Sequence, residues 1–276
     1  MRGLNENLAR EIMELHTLGV RSGYTQGDVT EFARALTGWN VAAQDLRDAF
    51  KIGGGNADDY AFRPNLHEPG SRQILGKTYP QPGAEQARAA LVDFAHSPAT
   101  ANHVATKLAR HFAGDTPPQA LVDRLAGSFT ASRGDLPTLY RALIDSPEPW
   151  APRALKFKTP WEWTVSALRG LGRDQIGALQ MAGAQSQLGQ PVWKPGSPAG
   201  WDDTAASWAA PDALLRRVEY AQRLVAPVAA TLDARVLGSK LLPAAYSPAT
   251  QEQVARAESP ASALALLLVS PDFLRR

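Results

Sequence analysis

Apolar positions in this chain recur mainly three and four residues apart, the spacing of helices that bury one face, and several helix starts are spelled out. In "YTQGDV", Thr25 and Asp28 stand at capping-box spacing, with Asp in place of the usual Glu. Val29, Phe32, Ala33 and Leu36 then form one apolar stripe, which Gly38 ends. In "KTPWEW", Thr159 is placed as N-cap, Pro160 as first helical residue and Glu162 as the carboxylate that returns to the cap. Further helices are predicted over roughly 84–96, 98–113, 117–131, 135–146, 160–171, 211–225 and 247–274. Three Ser-Pro steps, at Ser97, Ser146 and Ser270, each follow an apolar helical run and read as tight junctions between helices. Between residues 40 and 83 the pattern breaks into a Gly- and Pro-rich stretch with apolar pieces at Tyr60, Phe62, Ile74 and Tyr79. That predicts a long irregular insertion with at most a small β-hairpin. A second irregular stretch, 187–210, is rich in Trp, Pro and Gly. The pattern predicts an all-α fold, one irregular multi-helix domain over 1–276 with these two long loops.

The opening helix carries the densest chemistry. At 100° per residue, Leu8, Ile12 and Leu15 define its apolar face, and Asn7, Glu11, Glu14 and Leu18 run along one edge. Glu11 and Glu14 can therefore meet, as metal ligands or as acid and base, with His67 of "LHEPG" completing the site. His16 falls on the opposite edge, so as a metal ligand it needs partners from elsewhere. The competing reading is a structural ladder, Glu6 to Arg10 to Glu14, at about 0.2–0.5 kcal/mol per exposed pair. If Glu11 is an internal ion-pair partner, Glu11→Gln is expected to destabilise the fold.

Two further groups stand out. In "ANHVATKLARHF", Val104, Leu108 and Phe112 are expected to point inward. His103, Lys107, Arg110 and His111 would line a cationic flank, for a phosphate or carboxylate ligand or for Glu11 and Glu14. Lys156 and Lys158, just before the helix at Pro160, could hold an anion with its free N–H groups. Six of the seven tryptophans lie in the second half, and Trp193 and Trp201 occupy the second loop. Exposed, their rings would stack on a glycan or an apolar protein partner; buried, they would pin the loop.

Composition narrows the classes. A net charge of +2 gives no reason to expect nucleic acid. The absence of cysteine removes disulfides, thiolate catalysis and thiolate metal ligands. The longest apolar run, Ala263 to Val269, is far short of the roughly 20 residues that span a bilayer. The N-terminus lacks the apolar core of a signal peptide, so either the chain is cytoplasmic or its beginning lies upstream. No serine-hydrolase elbow, P-loop, dinucleotide fingerprint, HExxH or EF-hand loop occurs, and no motif specifies a cofactor.

The run "NENLAREIMELHTLGVRSGYTQGDVTEFARALTGW" resembles the signature of the DUF 1800 family, bacterial proteins of unknown function. Shorter pieces, "HEPGSRQILG", "SPATANHVATKLARHF", "KFKTPWEWTVSALRGLG", "LGQPVWKPGSPAGW" and "SPDFLRR", extend the resemblance over nearly the whole chain. It implies a mostly helical bacterial protein, commonly exported and often encoded beside a second exported family. It also implies a preceding N-terminal half, so this chain looks like a C-terminal portion. The resulting expectation is a binding or assembly protein of the cell envelope, with an exported protein or a glycan as partner. The alternative is a metal-dependent or carboxylate-catalysed enzyme centred on Glu11 and Glu14.

Overall fold

The structure, a computed structural model, describes residues 4–41, 60–152 and 154–276. Part of the expected insertion, 42–59, lies outside the described residues. The chain is mostly helical, and its described residues include two small antiparallel two-stranded sheets. It divides into two compact units, Met1–Thr106 with Val122–Ala142, and Lys107–Leu121 with Leu143–Arg276.

The first unit opens with α1 (Glu6–Glu11), capped by the Asn5 side chain on Leu8 N–H, which runs straight into a π-helical turn, Ile12–His16. Helix α2 (Gln26–Ala35) starts with the predicted box: Thr25 accepts from Asp28 N–H, and the Asp28 carboxylate accepts from Thr25 N–H. Strands β1 (Trp39–Val41) and β2 (Tyr60–Phe62) pair across the insertion, Trp39 opposite Phe62. β3 (Arg72–Ile74) and β4 (Lys77–Tyr79) form a tight hairpin whose two turn residues, Leu75 and Gly76, both have positive φ. Asp28 also accepts from Leu75 N–H at 2.6 Å, so one carboxylate caps α2 and fixes the hairpin tip. Helix α3 (Ala84–Ala95) closes this core. Met13, Phe32, Ile74, Tyr79 and Phe94 are buried together, and the Phe32 and Phe94 rings meet edge-on at 5.0 Å.

The stripe of the opening helix differs from the expected one. Ala9, Met13 and Leu18 are buried, whereas Leu8 is exposed and Ile12 and Leu15 are only partly covered. Leu18 lies beyond the π turn, after the non-helical Thr17, where a 100° wheel no longer applies. In α4 (Pro98–Ala113) the buried line is Ala101, Ala105, Ala109 and Ala113, and Phe112, expected inside, is exposed. Two more helices follow, α5 (Gln119–Ala131) and α6 (Leu136–Ile144); α4, α5 and α6 each contribute residues to both units.

The second unit is built on α7 (Pro160–Gly170), which carries the predicted Thr159–Glu162 capping box and the fully buried Trp163. Its indole N–H donates to Leu268 O at 2.8 Å. Then come α8 (Ala178–Gln187), the short α9 (Ala205–Trp208), α10 (Pro211–Val225), α11 (Ala234–Leu241), α12 (Pro248–Ala255) and α13 (Pro260–Leu268). The single helix expected over 247–274 is thus two, separated where Ser259 caps a new start at Pro260. Phe157 and Arg275 form an isolated antiparallel bridge, with Lys156 and Arg276 exchanging both backbone hydrogen bonds.

Candidate functional site

The signature segment is held together by groups far apart in sequence. A π turn leaves carbonyls that no regular i→i+4 bond satisfies. Here Ile12 O accepts from the Thr17 hydroxyl at 2.8 Å, Met13 O from Gly19 N–H at 3.0 Å, and Leu15 O from His103 Nε2–H at 3.1 Å. Gly19 has φ +89°, and a Cβ there would lie 2.8 Å from His103 Nδ1. Positive φ and close approach both demand glycine at this corner.

Glu14 accepts from the Tyr24 hydroxyl at 2.7 Å and lies 3.7 Å from Arg10. Burial, then the hydrogen bond to the Glu14 carboxylate, push the Tyr24 hydroxyl up to about 12. Glu6, at the other end of the expected ladder, accepts from Gln26 and Thr30 of α2. Glu11 is half-buried and has no hydrogen bond or ion pair among the described residues. His16 is exposed. Among the described residues, no group of three or more His, Asp or Glu side chains is placed to hold a metal ion.

His67 serves the end of α2. Its Nδ1–H donates to Thr37 O at 2.9 Å, while Glu68 N–H donates to the Thr37 hydroxyl at 2.8 Å. Gly38 leaves room for the turn: a Cβ there would meet Phe62 at 2.8 Å and His67 at 3.1 Å. Beside it lies a four-charge network that sequence reasoning missed. Arg34 pairs with Glu31 at 2.6 Å and Glu68 at 3.5 Å, and the buried Arg72 pairs with Glu31 at 3.7 Å and Glu68 at 3.5 Å. Arg72 also donates to Glu68 O and Pro69 O. Charges balance two against two, so this is a clamp between α2 and the "HEPGSR" loop. The available signal was the charge content of "HEPGSR" itself.

In the second unit Lys107 is exposed, with no ion pair among the described residues. Lys156 is buried and lies 3.0 Å from both Asp115 and Asp203. Burial pushes the Asp115 carboxyl up, but hydrogen bonds from Ala205 N–H and Lys156 outweigh it and hold the group below the usual carboxylate value. Asp203 continues to His111 Nδ1 at 3.2 Å, and His111 Nε2 faces Arg276, which pairs with Glu162 at 2.7 Å. Lys158 lies buried, 4.1 Å over the Phe273 ring. Burial lowers its ammonium to about 8; Glu162 opposes the shift, and Arg276 and Arg217 add to it. The expected anion site at the start of α7 has no free backbone donor in the first turn, because Trp161 N–H goes to Gln190 Oε1 and Glu162 N–H to the Thr159 hydroxyl.

Residues 192–199 of the second loop are all exposed. Its entry is fixed by Gln190, whose N–H donates to Gln185 O at 2.9 Å and whose side chain accepts from Trp161 N–H. A β-turn follows, closed by Lys194 N–H on Pro191 O at 3.3 Å. Its third position is Trp193, with φ +55° and 97% of its surface in solvent. Glycine is the usual choice there, and a bulky residue at positive φ is rare. Trp201 behaves differently. It is half-buried against Trp208, ring centroids 6.0 Å apart, with the Trp208 indole N–H donating to Asp202 O. One tryptophan pins the loop and the other is presented by it.

The model of one protein family, described as a protein of unknown function (DUF1800), matches residues 2–275. The chain belongs to the DUF1800 family. The match takes in the π turn, the His67 corner, the buried Lys156 and the Trp193 loop of this DUF1800 chain. No curated protein and no solved structure matches it. Among the described residues no helix is long and apolar enough to cross a membrane.

Proposed function

We propose that this DUF1800 protein is a binding or assembly protein of the bacterial cell envelope and that the loop carrying Trp193 is its contact surface. One observation carries the reading: a nearly fully exposed indole held at left-handed φ on an anchored turn. The conformation costs a non-glycine residue roughly 1–2 kcal/mol, and the exposed ring returns none of it by packing within the chain. A rigid, amphipathic ring of this kind is the usual anchor of a binding surface. The envelope location rests on the family resemblance. The alternative centred on Glu11 and Glu14 draws less support, since Glu14 is engaged by Tyr24 and Arg10 and Glu11 meets no hydrogen-bond or ion-pair partner among the described residues.

The test is co-sedimentation of the purified chain with a bacterial envelope fraction, before and after protease digestion of that fraction. Trp193→Ala should weaken binding by about tenfold or more with an unchanged denaturation midpoint. Binding that survives digestion identifies a glycan partner, and binding lost on digestion identifies a protein. Equal sedimentation of parent and variant defeats the proposal.

A further inference from the structure

The second unit holds a cavity of about 590 Å³ at the last turn of α7 and the first turns of α8, a size suited to a small ligand. Val165, Leu168, Ile176 and Met181 form its apolar wall, and Arg169 and Arg173 stand on its rim. Neither guanidinium has a hydrogen-bond or ion-pair partner among the described residues. Four other cavities differ in this respect. Their basic side chains are engaged: Arg256 by Glu252, Arg275 by Pro271 O, Arg235 by Ala255 O, Lys77 by Asp93 and Arg88 by Glu85. The only acid in the lining is Asp174, so the rim is cationic by one charge. Met181, from the first turn of α8, is tied to Gln185 by a 3.7 Å contact.

We infer that this cavity binds an apolar chain ending in an anionic head group, the chain against Ile176 and Met181 and the head between Arg169 and Arg173. Guanidinium groups bind carboxylate and phosphate heads alike.

The sequence supplies the probe. It holds three methionines, of which Met181 lines the cavity and Met13 is buried in the other unit. With ¹³C-methyl methionine in the full chain, decanoate below its micellar concentration should shift the Met181 signal saturably and leave Met13 in place. Decanol should bind about tenfold more weakly or worse, and the ratio of decanoate to decyl phosphate identifies the preferred head. The double variant Arg169→Gln with Arg173→Gln should lose about tenfold or more for decanoate and nothing for decanol. The site is refuted by a silent Met181, by equal movement of Met13, by equal affinity for decanol, or by a double variant that binds decanoate as the parent does. In that last case the arginines serve only the carboxyl end of α7.

Discussion

At the scale of single residues, the two carboxylates that the sequence places together have different lives. Glu14 holds Tyr24 and faces Arg10, whereas Glu11 meets no partner among the described residues. Glu11→Gln is therefore expected to leave the denaturation midpoint within about 0.5 kcal/mol of the parent, the usual range for a change that breaks no contact. Tyr24→Phe, which removes a hydrogen bond to a carboxylate, should cost about 1–2 kcal/mol. A Glu11→Gln loss larger than that of Tyr24→Phe would return Glu11 to the ion-pair role expected from sequence. Helical spacing made the Arg10–Glu14 pair legible. The role of Tyr24 was hidden because it depends on the turn from Gly19 to Thr25 folding back on the helix.

At the scale of elements, both capping boxes, Thr25–Asp28 and Thr159–Glu162, were legible because each is complete within four residues. The π turn was not. Leu15 O accepts from a histidine 88 residues later, and no local pattern encodes such a partner. The sequence reading also put Leu8 inside and left Met13 out of the stripe, although Ala9 and Met13 stand at ordinary i,i+4 spacing. Similarly, the Arg72 clamp needs a hairpin to bring residues 68–72 against α2. Gly19 tests the π turn: Gly19→Ala forces a Cβ at positive φ into His103 and should cost about 2–3 kcal/mol in chemical denaturation. Adding His103→Ala should be markedly less than additive, since the clash goes with the ring. Strict additivity would mean that Gly19 and His103 act separately.

At the scale of the whole molecule, helical periodicity sufficed for the all-α class, and the Gly/Pro-rich stretch did hold a hairpin, with a second strand pair beside it. Burial of charge was less legible, because Lys156 and Lys158 are two residues apart yet one is doubly paired and the other sits over a ring. Lys158 makes global stability depend on alkaline pH. Its folded pKa, about 8, lies below the ordinary lysine value near 10.4, so the unfolded chain binds more protons between them. Stability relative to Lys158→Met should be flat below about pH 7 and rise by on the order of 2–3 kcal/mol towards pH 10. A flat difference across that window would show that the ammonium is solvated.

Presentation of Trp193 to a partner can be read directly from its fluorescence. The difference in emission between the parent and Trp193→Phe isolates this indole from the other six. Acrylamide should quench that difference signal almost as it quenches free tryptophan, and the envelope fraction should protect it. Weak quenching in the free protein, or no protection when the envelope fraction is added, would show that Trp193 is not presented for a partner.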